Sequence, residues 1–278
     1  MLLKNQLDYN MGKQLDDTTY FAVNNGYLTS SKLKSYMQDP YFFYRRHILG
    51  DLPFEKTPSM KIGSAVDCWL TESRAAFIGK YEQKVLKSED KLVYESQKTM
   101  DDEYLLTETE MSKVHAICEA CERTSLWQEI KADKAWVFQA ILRLDKKGGM
   151  GKFFKGVSGK PDAYKISEDC TKATIIDIKT ANDINPRRFA YICADYGYYF
   201  QQAYYQSLLQ AINPKIKEVT SYLLALETDS YLNRVAFFKL NQTTIDIEKV
   251  NIARLLSEIS QITEFKPTDT TWDDLVEI

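Results

Sequence analysis

The stretch Gly159–Thr180, GKPDAYKISEDCTKATIIDIKT, most constrains what this chain can fold into. Its last seven residues, Thr174–Thr180, read as a strand rich in β-branched residues. Side chains alternate along a strand with period 2. Asp177 and Lys179 must therefore leave one face, and Ile176 and Ile178 the other, which can enter a core. Fifteen residues before Asp177, a second carboxylate, Asp162, follows Gly159-Lys-Pro at the start of another β-rich run. Two carboxylates brought together can hold a divalent metal through oxygen, and a lysine beside them can orient or activate water. Such a pair on a strand is more commonly an exposed ion pair, worth a few tenths to about 1 kcal/mol. Here, however, it ends an apolar run and has a Gly-x-x-Asp upstream.

The 278 residues suffice for one large domain or a core with an appended subdomain, and 44% apolar with 27% charged residues describe an ordinary globule. No run of about 18 apolar residues suggests a membrane span, and the first fifteen residues lack the apolar segment of a secretory signal. Five scattered cysteines suit reduced thiols better than a disulfide framework. A net charge of −3 argues against a non-specific polyanion binder. It leaves room for a local basic patch, and six lysines between 146 and 165 supply a candidate, a solvated hairpin being the plainer alternative.

Along the chain, residues 1–27 show no period and are expected to form an N-terminal arm, with a single domain over 28–278. Thr29 and Ser30 are N-cap candidates for a helix stopped at Asp39-Pro40. The following YFFYRRHIL places aromatics beside Arg45 and Arg46, either a stacking and phosphate site or core aromatics with exposed arginines. With only His47 and His115, no histidine-based metal cluster is supported. Residues 61–73 predict a helix whose apolar stripe is Ile62, Ala65, Val66, Trp69 and Leu70, with Asp67 at its edge. A mostly helical insertion is expected over about 74–133, with 108–127 its best segment. Cys118-x-x-Cys121 lies inside that segment and lacks the second pair a zinc site needs.

From Ala135 the pattern turns to strands: AWVFQAILRL, a KKGGMGK turn, FFKGVSGK, and the two acid-bearing runs. A helix over 198–211 then buries Phe200, Ala203, Tyr204 and Leu208, with Gln201 and Tyr205 four apart beside that face. Two strands, 219–227 and 233–240, and a closing helix over 243–263 complete the chain.

Taken in order, LTSSKLKSYMQDPYFFYRR, KIGSAVDCWLTE, GKPDAY, IIDIKT and YFQQAYYQSLL resemble the PD-(D/E)XK nuclease superfamily, and within it the RecB/RecE-type exonucleases common in phages and prophages. The resemblance covers roughly 28–265. It implies an α/β (α+β) fold, a central mixed sheet flanked by helices with a helical N-terminal part. It also implies a Mg²⁺- or Mn²⁺-dependent deoxyribonuclease, an exonuclease acting on double-stranded DNA ends in recombination or repair. By that resemblance Asp162, Asp177 and Lys179 are catalytic. Asp67, Asp162, Asp177 and the carbonyl of Ile178 hold the metal on which the acids converge. Gln201, Tyr205, Arg45 and Arg46 touch DNA. Asp67 stands where the family usually carries His, which leaves the number of metals open and motivates the alternative of a non-cutting DNA-binding scaffold. A single-strand annealing recombinase as partner, a ring-like homo-oligomer and a cytoplasmic location in a bacterial host are further expectations of that kinship.

Overall fold

A computed structural model describes residues 20, 25–53, 56–83, 104–228 and 232–265. Most of the expected N-terminal arm lies outside them. Strand β1, Tyr27–Leu28, leads into helix α1, Ser30–Gln38, capped by the Thr29 hydroxyl, which accepts from the Lys32 N–H at 3.3 Å. Asp39 ends α1 in an extended conformation and caps the next helix, α2, Pro40–Tyr44, which runs on as a π-helical turn over Arg45–Leu49. Helix α3, Pro58–Asp67, passes likewise into a π-turn over Cys68–Glu72, and α4, Arg74–Lys80, follows.

Two short parallel strands, β2 (Glu82–Gln83) and β3 (Leu105–Leu106), flank an undescribed segment. The helix expected over 108–127 is two. Helix α5, Glu108–Glu122, opens on a capping box between Thr107 and Glu110, and α6, Ser125–Ala132, begins after a break at Arg123-Thr124. Thr124 has the extended backbone of a helix N-cap, so the apolar period continues while the backbone restarts.

The run AWVFQAILRL is also divided. It gives β4, Trp136–Phe138, and β5, Leu142–Met150, separated by Gln139, which holds φ at 53°. A left-handed backbone at a residue with a Cβ costs of order 1 kcal/mol and turns the chain out of its sheet. Residues 146–150, expected as a turn, belong to β5, which carries an irregularity between Asp145 and Met150. The turn lies at 151–153, before β6, Phe154–Gly159.

Strands β7 (Ala163–Ile166), β8 (Lys172–Ala181), β9 (Glu218–Glu227) and β10 (Val235–Lys239) join β4 in a five-stranded sheet of order β10-β9-β8-β7-β4. The pair β8/β9 is parallel and the other pairs antiparallel. Parallel neighbours need a crossover, supplied here by helices α7 (Pro186–Asp195) and α8 (Tyr198–Ile212). Helix α9, Gln242–Gln261, closes the chain, and β1, β6 and β5 make a separate three-stranded sheet. This is the mixed sheet flanked by helices that the sequence predicts. Among the described residues no helix is long and apolar enough to cross a membrane.

The sheet divides two cores. Ile175, Leu223 and Ala225 face Tyr204, Leu208 and the α9 residues Leu255 and Ile259. Ile176, Ile178, Leu224 and Leu226 face Ala65, Val66 and Trp69 of the α3 segment, with Ile117 and Trp127 beyond. Alternation along β8 therefore puts Asp177 and Lys179 on the α8 side, while α3 covers the opposite face.

Candidate active site

Strands β7 and β8 pair only from Ala163↔Ile176 to Ile166↔Ala173. Beyond Ile176 the β7 edge of β8 is free of strand pairing, because Pro161 and Asp162 lead into β7 from the side. Asp162 takes up part of that edge with its side chain, one carboxylate oxygen accepting from the Ile178 N–H at 2.6 Å. Asp177, 1% exposed, forms an ion pair with Lys179 two residues on along the same face. Asp67 comes from the other layer. One turn earlier on α3, Gly63 approaches β8 so closely that a Cβ there would stand 3.4 Å from the Thr180 hydroxyl, which brings the end of α3 to the end of the strand.

Gln139 joins these parts. Its backbone N–H donates to the Asp162 carbonyl at 3.0 Å, and its side-chain amide donates to both Asp67 carboxylate oxygens at 2.9 Å. The left-handed turn that ends β4 aims that amide at a residue 72 positions earlier. Sequence reasoning missed Gln139; an amide at a strand-to-strand break carries no signal until the break is known.

Electrostatics bind the group into one unit. Burial lifts the Asp67 carboxyl to about 6; Asp177 adds to the rise, while Lys160, Lys179 and the Gln139 amide oppose it. Burial, with Asp67 and Asp177 nearby, also raises Asp162 well above the usual carboxylate range. For Lys179 burial works against the charge, but Asp177 and Asp162 outweigh it and hold the ammonium above its ordinary value. Lys179 is thus a positive charge and a hydrogen-bond donor rather than a base.

A model of a PDDEXK-like domain of unknown function (DUF3799) matches residues 30–270. The chain belongs to that family. The PDDEXK-like chain is also similar to a crystal structure of a "Putative exonuclease" from Eubacterium rectale, with a TM-score of 0.55 and 16% identity over 90% of this chain and 87% of that one. At that identity the likeness is one of fold. SSO0001 shares 19% identity over 53% of this chain and 65% of that one at a TM-score of 0.27, too little to bear on the reading. Among curated proteins none matches.

In this PDDEXK-like domain the expected gathering of acids is only partly realised. Asp67, Asp162 and Asp177 lie within one another's fields, yet among the described residues no three His, Cys, Asp or Glu side chains are drawn together tightly enough to hold a metal as they stand. Each carboxylate is anchored separately, by the Gln139 amide, the Ile178 N–H and Lys179. The donor set itself, three carboxylates with repelling charges, suits a hard divalent cation.

Gln201 and Tyr205 do reach the site's rim. The Gln201 amide donates to the Tyr205 hydroxyl at 3.1 Å, and that hydroxyl donates to the Lys160 carbonyl at 3.2 Å. Tyr205 is only 5% exposed, so its ring is a wall rather than an open surface. A Cβ on Gly159 would come within 3.1 Å of that ring and of Leu208, which is why glycine opens the Gly-Lys-Pro-Asp run. Arg45 pairs with Asp51, just past the end of the helical segment, at 3.1 Å, and Arg46 lies over the Phe42 ring, both contacts local in sequence. The lysines of residues 146–165 divide as well. Lys165 is ion-paired to Asp133, while Lys160 lies in the field of Asp67. Cys118 and Cys121 are buried, free thiols. Lys34 of α1, unnoticed in the sequence, approaches from the α8 side, its charge opposed by burial and by Lys179 and favoured by Asp177.

Proposed function

We propose that this nuclease-fold protein is a Mg²⁺- or Mn²⁺-dependent deoxyribonuclease of RecB/RecE type, an exonuclease that hydrolyses phosphodiester bonds at duplex DNA ends. The observation that carries the proposal is the Asp177–Lys179 ion pair, walled by Asp162 and Asp67, at the free edge of β8. Asp67, Asp162, Asp177 and the Ile178 carbonyl would hold the ion. A strand residue's N–H and C=O leave the same edge, so this carbonyl is directed to the side from which Asp162 accepts. When bound, the cation supplies Lewis-acid stabilisation of the phosphoryl charge and a more acidic water.

The chain's own residues do the rest. The Lys179 ammonium orients water by donating to it and balances charge developing on the phosphate. Gln139 keeps Asp67 facing inward. Tyr205 and Gln201 border the path along which the scissile strand passes. DNA ends would be the substrate, and recombination or repair the setting, with a single-strand annealing recombinase and a homo-oligomer as the assembly partners that this kinship suggests.

The test is end-labelled linear and circular duplex DNA incubated with Mg²⁺, with EDTA controls. Loss of the linear but not the circular substrate, dependent on Mg²⁺ and absent in Asp177→Ala, is expected. Equal attack on both forms refutes exonuclease action, and cleavage in EDTA refutes the metal.

A further inference from the structure

Beside the ion pair an aromatic ladder runs from the site to the surface. The Lys179 ammonium lies 5.0 Å from the centre of the Tyr198 ring. Tyr198 stacks in turn on Tyr196, with centroids 5.9 Å apart and planes inclined by 25°. Tyr196 is 64% exposed. Between the two tyrosines Gly197 holds φ at 62°, and a Cβ there would press to 3.1 Å against the Lys34 stem. That stem therefore lies over the turn, and the Lys34 ammonium donates to the Tyr196 carbonyl at 3.0 Å. One end of the ladder touches the proposed catalytic lysine, and the other offers an open ring whose backbone carbonyl holds the Lys34 ammonium.

An exposed ring on a residue whose carbonyl holds an ammonium has the chemistry that takes a nucleobase by its π-face and the adjoining phosphate by charge. A base inside a duplex has no free face to offer, so the ring selects an unpaired one. We propose that Tyr196 is a stacking platform for an unpaired base at the strand end entering the site, and that Lys34 contacts the phosphate of the same nucleotide. The proposal rests on the nuclease reading for its substrate class, but its test does not depend on cleavage.

The probe is a short single-stranded oligonucleotide with 2-aminopurine at its terminal positions, titrated with protein in Ca²⁺ in place of Mg²⁺. Wild-type protein is expected to quench the fluorophore by stacking. Tyr196→Ala should lose the quench and bind about 10-fold more weakly, whereas Tyr196→Phe and Tyr196→Trp keep both. Tyr191→Ala, which removes another exposed tyrosine (72%), from α7, should behave as wild type. Lys34→Ala should flatten the slope of log affinity against log salt by about 0.7, one phosphate on a single strand. Unchanged fluorescence with wild-type protein, or equal binding and quench by wild type and Tyr196→Ala, overturns the platform. A protein that quenches in this way yet cuts nothing in Mg²⁺ keeps the platform and loses the nuclease. One that cuts while Tyr196→Ala quenches normally does the reverse.

Discussion

Two groups of buried or half-buried acids lie at the C-terminal ends of the parallel strands β8 and β9, and they are balanced differently. On β9, Glu227, 2% exposed and paired in register with Ala181, receives two hydrogen bonds from the Arg234 guanidinium, which also reaches Asp183 at 3.3 Å. On β8, the ion pair of Asp177 with Lys179 has two further carboxylates, Asp67 and Asp162, near it, and both are pushed towards protonation, by burial first and by neighbouring carboxylates second. A neutralised acid of the first kind serves the fold. An excess of negative charge under a low dielectric costs stability, and a protein retains it where another cation or a polyanion's chemistry has to be accommodated. By this measure the Glu227 group serves the fold, and the Asp177 group is the one we propose to be functional.

The largest effects that would break this contrast concern activity. Asp177→Ala and Lys179→Ala are each expected to lower Mg²⁺-dependent DNA cleavage by at least about 10³-fold with circular dichroism unchanged. Arg234→Ala should leave the folded protein's cleavage near wild type. Near-normal cleavage by either β8 variant removes the contrast.

The next effect is on stability and its pH dependence. The folded-state carboxyl of Asp67 is raised to about 6, above the unfolded value, so the native state binds the extra proton between about 4 and 6. The stability this group contributes is therefore present below pH 4 and lost as the pH rises through 6. Asp67→Asn, which keeps an oxygen for the Gln139 amide, should be more stable than wild type at pH 7.5 by on the order of 1–3 kcal/mol. The gap should close on acidification to pH 4, followed by urea unfolding. A variant less stable than wild type at pH 7.5 would contradict the burial penalty on the Asp67 carboxylate. Cleavage by the wild type should in turn fall as the pH drops below about 6, where Asp67 takes up its proton.

Smaller effects sharpen the picture. Gln139→Ala loses the amide and keeps the left-handed backbone, while Gln139→Gly loses the amide and relaxes the backbone. The glycine variant should unfold at a higher urea midpoint, by about 1 kcal/mol, with both impaired in cleavage. Arg234→Ala should lower Tm, and adding Glu227→Gln should restore part of the loss, because the amide leaves no buried charge without its guanidinium partner. Recovery of nothing would mean that Glu227 is not held by that charge pair.

Much of this arrangement was legible in the sequence wherever the signal is local. Period 2 through Thr174–Thr180 placed Asp177 and Lys179 on one face, and the Thr29 and Asp39-Pro40 signals bounded α1 as found. What escaped depends on partners far along the chain. Nothing near Gln139 marks it as a break, since its neighbours are good strand formers and only its contacts to Asp67 and Asp162 reward the strained turn. The period placed Asp67 at the edge of its stripe, but that this edge is buried and meets the Gln139 amide depends on a residue 72 positions on. Tyr205 was expected to touch DNA; that its ring also packs over Gly159 is a contact that no helical period encodes.

The chain leaves one sheet for the other at Gln139, and from that point grips Asp162 by its main chain and Asp67 by its side chain. Two of the acids thus share a single mechanical mount at the seam between sheets. Any sliding of one sheet past the other would carry both together relative to the Asp177–Lys179 pair. If the site cuts as proposed, the aperture that a scissile bond would have to fit is set by the seam as well as by the acids around it.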